Sequence, residues 1–292
     1  MTVSKISSLD LRDPSVDPFE VATAAAEVIA ERSGSSRHDL ALVLGSGWGQ
    51  TGDLIGKTLA TIENADVPGF AKAAVAGHSD VMRSVAIGGK DRRALVYGTR
   101  THLYEGHGVR SVVHAVRTAA AAGCRTIVLT NGCGGLNPAW APGTPVLIRD
   151  HLNLTAASPV EGANFVDLTD LYSRRLRELA RTVAPDLEEG VYVQFRGPHY
   201  ETPAEVQMAK ILGGDLVGMS TTLEAIAARQ CRMEVLGLSL VTNLAAGIPR
   251  EAGGAPSETP LSHAEVLEAG QAAAERCGHL LSAVVARIEG PR

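Results

Sequence analysis

The chain has 292 residues, 45% of them hydrophobic, which is enough for a well-buried core in one large domain or two smaller ones. A net charge of −5 and the lack of a long basic run do not suggest a nucleic-acid-binding protein. No apolar stretch has the length of a transmembrane helix, and the N-terminal MTVSKISSLD lacks the apolar region of a signal peptide. We therefore expect a cytoplasmic protein, and its four cysteines, whose spacing matches neither a zinc site nor a disulfide framework, are expected to be reduced.

The predicted elements alternate between helices and strands along the chain. Residues 1–14 are expected to form a flexible arm, and residues 15–292 a single domain. The first predicted elements are a helix from Asp17-Pro18 to about Gly34, the strand in DLALVLGSGWG, and a hairpin of VMRSVAI and RRALVY. The helix VRSVVHAVRTAAAAG, the strands RTIVLT and TPVLIRDHLNL, a helix over 171–184 and the strand GVYVQF follow. The last elements are the helix PAEVQMAKILGG, the extended DLVGMS, the helix TLEAIAARQC, the strand MEVLGLSLVTN and a helix over 262–288. This order predicts an α/β fold with a mixed, mainly parallel β-sheet flanked by α-helices. The Gly/Pro-rich residues 248–262 are expected to form a mobile loop, long enough to act as a lid.

The stretch GTRTHLYEG places Arg100, His102 and Tyr104 at alternate positions after the apolar run ALVY. If the preceding strand continues through it, these three side chains share one face, because successive side chains on a strand point to opposite faces. An edge strand with one solvated face is the alternative. Such a face more commonly carries Lys, Glu and Thr.

Two predicted strands end in glycine-rich segments, where ligands of α/β sheets usually bind. GSGWG includes Ser46, and TNGCGG includes Gly132; glycines let backbone N–H groups approach an anion, and a serine adds a hydroxyl donor. A tight turn and an ordinary loop are the alternatives. GSGWG lacks the third glycine at the spacing that a dinucleotide-binding loop requires.

Further polar residues lie at two predicted helix starts and at one strand end. Thr202, Pro203 and Glu205 predict a capped helix, which leaves Glu201 without a capping task. Ser220 is predicted at or next to an N-cap, which is either a phosphate site or only a cap. Asn243 ends a strand, where its amide suits a heterocycle or simply a turn.

Taken together, these groups suit two ligands. Ser46, Arg100, His102 and Ser220 suit inorganic phosphate, and Glu201 with Asn243 suits a base that has N–H and ring-nitrogen groups. His78, in a predicted loop, and His263, in the first turn of the last helix, are further candidates, although a surface role is the commoner one for a histidine. The sequence carries no cofactor signature and no metal-ligand spacing.

The order of the motifs resembles that of the trimeric purine nucleoside phosphorylases. These motifs are GSGWG, GH at 77–78, TRTHLYEG, TNGCGGLNP, GPHYETPAE, VGMST, TNLAAG and SHAEVLEAG. The resemblance covers residues 42–269, and TNGCGG in place of TNAAGG is similar to the actinobacterial members. It implies a cytoplasmic homotrimer that needs no cofactor and uses phosphate as a co-substrate. The implied reaction is the reversible phosphorolysis of 6-oxopurine (deoxy)ribonucleosides in purine salvage.

The resemblance also implies a role for each matching residue. The implied phosphate ligands are Ser46, His78, Arg100, His102, the Gly132 backbone and Ser220. The implied ribose contacts are Tyr104, the Met219 backbone, His263 and Phe165, the last lent to a neighbouring subunit. The implied purine contacts are Tyr200, Glu201 and Asn243, and the residues expected in catalysis are Asn243, Glu201 and His102.

The chain departs from the family pattern at two places. Ser79-Asp80 replaces Ala-Gly, which adds a negative charge near the expected phosphate site, and Thr99 replaces Gly before the arginine.

Three rival functions are less consistent with the sequence. A methylthioadenosine phosphorylase is expected to have Asp in place of Asn243. A nicotinamide-dependent oxidoreductase lacks support beyond Gly45-Ser46-Gly47, and a non-catalytic nucleoside binder has no use for phosphate ligands.

Overall fold

The computed structural model describes residues 10–70, 80–88, 92–249, 254–255 and 260–289. The helices are α1 (Pro18–Ser33), α2 (Val109–Val112), α3 (His114–Ala121), α4 (Arg174–Val183), α5 (Pro203–Ile211), α6 (Thr222–Gln230) and α7 (His263–Arg287). The strands are β1 (Leu40–Val43), β2 (Lys57–Glu63), β3 (Val81–Ile87), β4 (Arg92–Tyr97), β5 (Thr126–Gly135), β6 (Pro145–Asn153), β7 (Glu188–Gln194), β8 (Leu216–Gly218) and β9 (Glu234–Leu244). None of these helices combines the length and the apolar character needed to cross a bilayer.

The described strands form one mixed sheet in the order β2-β3-β4-β1-β5-β8-β7-β6-β9, with a further pairing between β5 and β9. That pairing closes β5, β8, β7, β6 and β9 into a ring, and β2, β3, β4 and β1 extend from it as an open sheet. Pairs β1–β4, β1–β5, β5–β9, β6–β7 and β7–β8 are parallel, and the remaining four are antiparallel. The predicted α/β class with a mixed sheet is confirmed, whereas ring closure was not predicted.

Helices cover both faces of this sheet. One apolar layer, with Ile29 of α1, Val116 of α3 and Ala227 of α6, packs on one face, and another, with Leu176 of α4 and Leu281 of α7, packs on the opposite face. The strands between the layers are therefore buried on both faces, which explains apolar runs such as LALV.

All four cysteines are free thiols, as predicted.

Capping residues set the helix starts that the sequence predicts. The Phe19 N–H donates to Asp17 Oδ1 at 2.8 Å before α1, which ends at Gly34 in the left-handed region. The Thr202 N–H donates to Glu205 Oε2 at 2.8 Å, so the predicted capping box of α5 is present. Glu201 is thereby placed directly before a rigid helix start.

Several predicted elements differ from the structure. The helix expected over VRSVVHAVRTAAAAG is divided at Val113 into α2 and α3, and β2 was not predicted. Residues 1–9 of the expected arm lie outside the described residues, as do residues 250–253 and 256–259 of the expected lid. Within 10–14, Leu11 is buried at 4% exposure.

Candidate active site

One pocket lies at the carboxyl ends of β4, β1, β5 and β9, where parallel strands place their loops together. Ten of the thirteen predicted site residues line it: Ser46, Arg100, His102, Tyr104, Gly132, Tyr200, Glu201, Met219, Ser220 and Asn243. Residues far apart in sequence meet because β5 pairs with β1, β8 and β9. The sheet topology therefore assembles the pocket from several separate motifs.

Arg100 enters the pocket with its guanidinium already partly bound. Its Nε donates to both carboxylate oxygens of Glu224, at 3.2 and 3.1 Å, and its Nη1 donates to the Thr130 carbonyl at 2.5 Å. Its Nη2 is buried and has no hydrogen-bond partner among the described residues. A buried, unpartnered cationic donor is costly, so this nitrogen suits an anionic ligand.

The segment before α6 brings a hydroxyl to the same end of the pocket. Ser220 lies next to the N-cap residue, which is Thr221, so the prediction of a position at or next to the cap is confirmed. The Ser220 Oγ lies 3.1 Å from Thr221 Oγ1, and the Ser220 N–H donates to the Tyr192 hydroxyl at 3.4 Å. The positive end of the α6 dipole adds to the attraction for an anion.

His102 is oriented by a carboxylate three residues later. Because a carboxylate can only accept, the ring Nδ1–H donates to Glu105 Oε1 at 3.0 Å, and the His102 backbone N–H donates to the same oxygen at 2.7 Å. Partial burial disfavours the charge on Glu105, but these bonds outweigh it and hold the pKa of its carboxyl below the ordinary value. The Nε2 atom of His102 is left for a ligand.

The strand predicted over RRALVY does not continue through GTRTHLYEG, so the shared strand face considered for its side chains is absent. Strand β4 ends at Tyr97, and Leu103–Glu105 form a 3₁₀ turn capped by His102 and Glu105. The capping box competes successfully with strand pairing, so the residues do not alternate across a sheet. Arg100, His102 and Tyr104 still line one pocket, and the His102 and Tyr104 rings stack at 4.7 Å.

The expected loop at TNGCGG is also wrong, because β5 continues through Gly135. A Cβ at Gly132 would lie 3.1 Å from the Ser46 carbonyl oxygen and 3.2 Å from the Thr242 Cγ2. Glycine therefore lets three backbone segments approach one another, from β5, β9 and the loop after β1. Gly132 therefore lies on a strand and is packed closely against Ser46 and Thr242, and the approach of its backbone N–H to an anion stays a prediction.

The same pocket also carries Glu201, Asn243 and Tyr200. Glu201 is 7% exposed, and its Oε1 has no partner within the described part of the chain. Burial raises the pKa of its carboxyl above the ordinary value. Asn243 accepts from Thr242 Oγ1 at 3.0 Å and donates to the Leu244 carbonyl at 3.0 Å, which leaves one amide hydrogen for a ligand.

Three predicted residues are not placed in the pocket. Phe165 is 97% exposed and lies outside the pocket lining. His78 lies outside the described residues, and so does the side chain of His263, although its backbone begins α7 as predicted. Asp80, the departure next to His78, receives a hydrogen bond from Asn64 Nδ2 at 3.2 Å and does not line the pocket.

Sequence reasoning assigned no ligand role to three further pocket residues, Asn131, Cys133 and Thr242. The Asn131 Nδ2 donates to Thr221 Oγ1 at 2.9 Å, and its buried Oδ1 has no partner among described residues. The sequence signal for a ligand role of Asn131 is its position in TNG, between an apolar strand and a glycine-rich segment. Burial raises the pKa of the Cys133 thiol to about 12, which fits the predicted packing role.

No group of three or more metal-ligating side chains occurs in the described part of the chain. The polar side chains in the pocket supply a guanidinium, an imidazole, hydroxyls and amides, together with the Glu201 carboxylate as an acceptor. This set binds anions and hydrogen-bonding heterocycles rather than a divalent cation.

The model of a known protein family, described as the phosphorylase superfamily, matches residues 39–286. The chain belongs to the phosphorylase superfamily. It is 62% identical over 289 residues to the purine nucleoside phosphorylase of Cellulomonas sp, covering 98% of this chain and 100% of that protein. It is 56% identical over 278 residues to that of Mycobacterium tuberculosis, covering 95% and 100%.

Solved structures of this phosphorylase group share the fold. Two structures of Schistosoma mansoni purine nucleoside phosphorylase, in complex with inosine and with adenosine, superpose with TM-scores of 0.82 and 0.83. They are 29% and 30% identical to this chain in sequence. The matches cover 95% and 94% of this chain and 100% of each solved chain. The predictions of a nucleoside phosphorylase fold and of an actinobacterial-type purine nucleoside phosphorylase are confirmed.

Proposed function

We propose that this phosphorylase catalyses the reversible transfer of ribose or deoxyribose between a 6-oxopurine and inorganic phosphate. The observation that carries the proposal is that one pocket holds both a buried cationic donor and a buried carboxylate oxygen that have no hydrogen-bond partner among the described residues. These are Arg100 Nη2 and Glu201 Oε1. A nucleoside and phosphate, bound side by side, bring an anion to the first and an N–H donor to the second.

The phosphate end consists of Ser46, Arg100, His102, the Gly132 backbone and Ser220, with His78 as the further ligand that the family resemblance implies. Arg100 and the α6 dipole supply positive charge, and the serines supply neutral donors. Phosphate held there lies in the same pocket as the sugar. Its oxygen attacks C1′ without a covalent enzyme intermediate.

The sugar lies between phosphate and base. Tyr104 and Met219 line this part of the pocket, and His263 is the further ribose contact. Phe165, exposed in a single chain, serves the ribose site of a neighbouring subunit. This arrangement requires at least one further copy of the chain, and the family resemblance implies a homotrimer. The aromatic ring then covers the sugar and excludes water.

The base end stabilises the departing purine. In an oxocarbenium-like transition state, negative charge develops on the base while positive charge develops on the sugar. The remaining Asn243 amide hydrogen donates to N7, and Glu201 accepts the N1–H. Tyr200 lies beside the ring. A 6-aminopurine has no proton on N1, so this chain turns adenosine over poorly. The Schistosoma mansoni relative has been solved in complex with adenosine, but a bound nucleoside is not evidence of turnover.

The enzyme works without a cofactor, in the cytoplasm, and returns purine bases to the nucleotide pool. Its second substrate, inorganic phosphate, supplies the nucleophile that a hydrolase takes from water. The requirement for phosphate therefore separates this function from that of a nucleosidase.

The test is to incubate purified protein with inosine, with and without phosphate, and to measure hypoxanthine release. We expect release only with phosphate, and ribose 1-phosphate as the second product. Release without phosphate would identify a hydrolase and contradict the proposal. No release from inosine, combined with turnover of methylthioadenosine, would contradict the assignment of a 6-oxopurine.

A further inference from the structure

Glu224 forms the ion pair that fixes the Arg100 guanidinium. Both side chains are only 2% exposed, and Arg100 Nε lies 3.2 and 3.1 Å from the two Glu224 oxygens. Together with the bond from Nη1 to the Thr130 carbonyl, this contact sets the plane of the guanidinium. Nη2 is the nitrogen that remains, so Glu224 determines which donor faces the pocket.

The same carboxylate holds the segment that carries Ser220. Glu224 Oε2 accepts from the Thr221 N–H at 3.0 Å. Thr221 has φ +83°, in the left-handed region that a β-branched residue rarely adopts, and is 1% exposed. Its hydroxyl accepts from Asn131 Nδ2 at 2.9 Å and lies 3.1 Å from Ser220 Oγ. One oxygen atom thus connects two of the proposed phosphate ligands.

Helix capping alone does not explain Glu224. Glu205 occupies the same N3 position of a capping box at the start of α5, where it is only half-buried and has no arginine partner in the described residues. A buried ion pair contributes little net stability, because removing both charges from water costs about as much as their attraction returns. Burying Glu224 against Arg100 therefore serves the geometry of the pocket rather than the stability of α6.

We propose that Glu224 is a positioning residue for phosphate: it aims Arg100 Nη2 at the anion and places Ser220 beside it through Thr221. The proposal rests on the phosphorylase function proposed above. Glu224 itself does not line the nucleoside pocket. It therefore acts on phosphate through its two partners and leaves the purine contacts at Glu201 and Asn243 unchanged.

The variant Glu224→Gln separates positioning from capping. A glutamine oxygen at the place of Oε2 still accepts from the Thr221 N–H. The amide nitrogen then replaces Oε1, 3.2 Å from Arg100 Nε, and sets two donors against each other. The contact of Arg100 Nε with the remaining oxygen, at 3.1 Å, is kept, but the second contact becomes repulsive and the ionic attraction is lost. We therefore expect the guanidinium to shift from its position, although the helix start keeps its cap.

We expect Glu224→Gln to raise the KM for phosphate at least tenfold and to change the KM for inosine, measured at saturating phosphate, less than twofold. The control Glu205→Gln, in the matching capping box, should change neither constant. If Glu224 acted only as a nearby negative charge, removing it would lower the phosphate KM. A lowered or unchanged phosphate KM, or an equal rise in both constants, would overturn the proposal.

A double-mutant cycle tests whether Glu224 acts through Arg100. The phosphate Kd is measured by calorimetry in wild type, Glu224→Gln, Arg100→Ala and the double variant. We expect Glu224→Gln to weaken binding at least fivefold in wild type and less than twofold in the Arg100→Ala background. Equal effects in both backgrounds would contradict action through the guanidinium.

Two measurements keep the outcomes distinct. If Glu224→Gln does not fold, Glu224→Asp, whose shorter side chain cannot reach both partners, is measured in the same way. Failure of both to fold would show a structural role and overturn the proposal. A wild-type protein without phosphate-dependent turnover would refute the proposed function, whereas an active wild type with an unaffected Glu224→Gln would refute only the positioning role.

Discussion

Two buried polar atoms without partners among the described residues belong to side chains that line the pocket, and both cost stability in the unliganded chain. Arg100 Nη2 is a donor and Glu201 Oε1 an acceptor. A ligand with an anion at one end and an N–H at the other offsets both costs at once. We infer that these two unpartnered atoms lower the stability of the unliganded protein and strengthen the binding of its ligands, as strained or unsatisfied groups at functional sites commonly do.

Glu201→Gln should remove activity and increase stability. The amide presents a donor as well as an acceptor to N1–H, and loss of a matched contact in the transition state lowers kcat/KM for inosine by about 10²-fold or more. Because burial raises the pKa of Glu201, the folded state disfavours the carboxylate. This penalty is fully present above the folded-state pKa and absent below the unfolded-state value of about 4.3.

The measurements are steady-state kinetics and thermal unfolding between pH 4 and 8. The Tm of Glu201→Gln should exceed that of wild type near pH 7, and the difference should shrink as the pH falls towards 4. Glu27→Gln, at an exposed carboxylate of α1, is the control for a generic loss of charge. Wild-type-like turnover of inosine would contradict the role of Glu201 at the base.

Asn243→Asp should shift the ratio of inosine to adenosine turnover. A carboxylate at this position accepts from a 6-amino group and repels O6, so kcat/KM should fall for inosine and rise relative to it for adenosine. We expect the ratio to change by about tenfold or more, the cost of one unmatched hydrogen bond. An unchanged ratio would show that Asn243 does not discriminate at the base.

At the scale of elements, the pocket depends on close contact between strand ends. The Gly45 N–H donates to Thr130 Oγ1 at 3.0 Å, and that hydroxyl donates to the Val43 carbonyl at 3.0 Å, which joins the ends of β1 and β5. A Cβ on Gly45 would lie 2.5 Å from the Thr130 carbonyl oxygen, the same atom that binds Arg100. The glycine therefore maintains both the strand contact and the arginine.

Gly45→Ala should destabilise the fold and weaken phosphate binding together. Overpacking of this kind costs about 1–3 kcal/mol of unfolding free energy. Denaturant unfolding and the phosphate KM are measured beside Gly49→Ala, because a Cβ at Gly49 meets nothing within 4 Å. A Gly45→Ala variant as stable and as active as Gly49→Ala would contradict the strand-end account.

The sequence predicted elements best where local chemistry decides them. The starts of α1 and α5 followed from Asp17-Pro18 and Thr202-Pro203, because caps and proline act within a few residues. The Gly-rich part of β5 was misread as a loop, because its strand conformation depends on pairing with β9, far away in the chain. GTRTHLYEG was misread for the opposite reason, since a local box between His102 and Glu105 ends the strand.

The candidate site could be predicted further than the local conformations could. The residue types alone pointed to phosphate and to a heterocycle, and ten of the predicted residues line one pocket. The pairing of Glu224 with Arg100 was not predictable, because 124 residues separate them and the capping motif already explained the glutamate. Contacts between motifs that are distant in the chain can be predicted only once the topology of the sheet is known.

At the scale of the whole molecule, the proposed function leaves part of the sugar site to another subunit. Phe165 is 97% exposed, unusual for a phenylalanine unless a partner covers it. We expect Phe165→Ala to keep the oligomeric state of wild type by light scattering and to raise the KM for inosine about tenfold, equivalent to roughly 1.4 kcal/mol, with the phosphate KM unchanged.

Leu59→Ala is the control, because Leu59 is also exposed, at 43%, but lies on β2 at the edge of the open sheet. It should leave both KM values unchanged. A Phe165→Ala variant with the wild-type KM for inosine would show that the ring does not reach a sugar site in the assembly.

The most direct test of the whole account is a crystal structure with hypoxanthine and phosphate bound together. The account predicts phosphate within hydrogen-bonding distance of Arg100 Nη2 and Ser220 Oγ, and the purine between Glu201 and Asn243 in the same pocket. Phosphate bound elsewhere, or a purine that leaves the Glu201 carboxylate without a partner, would contradict it.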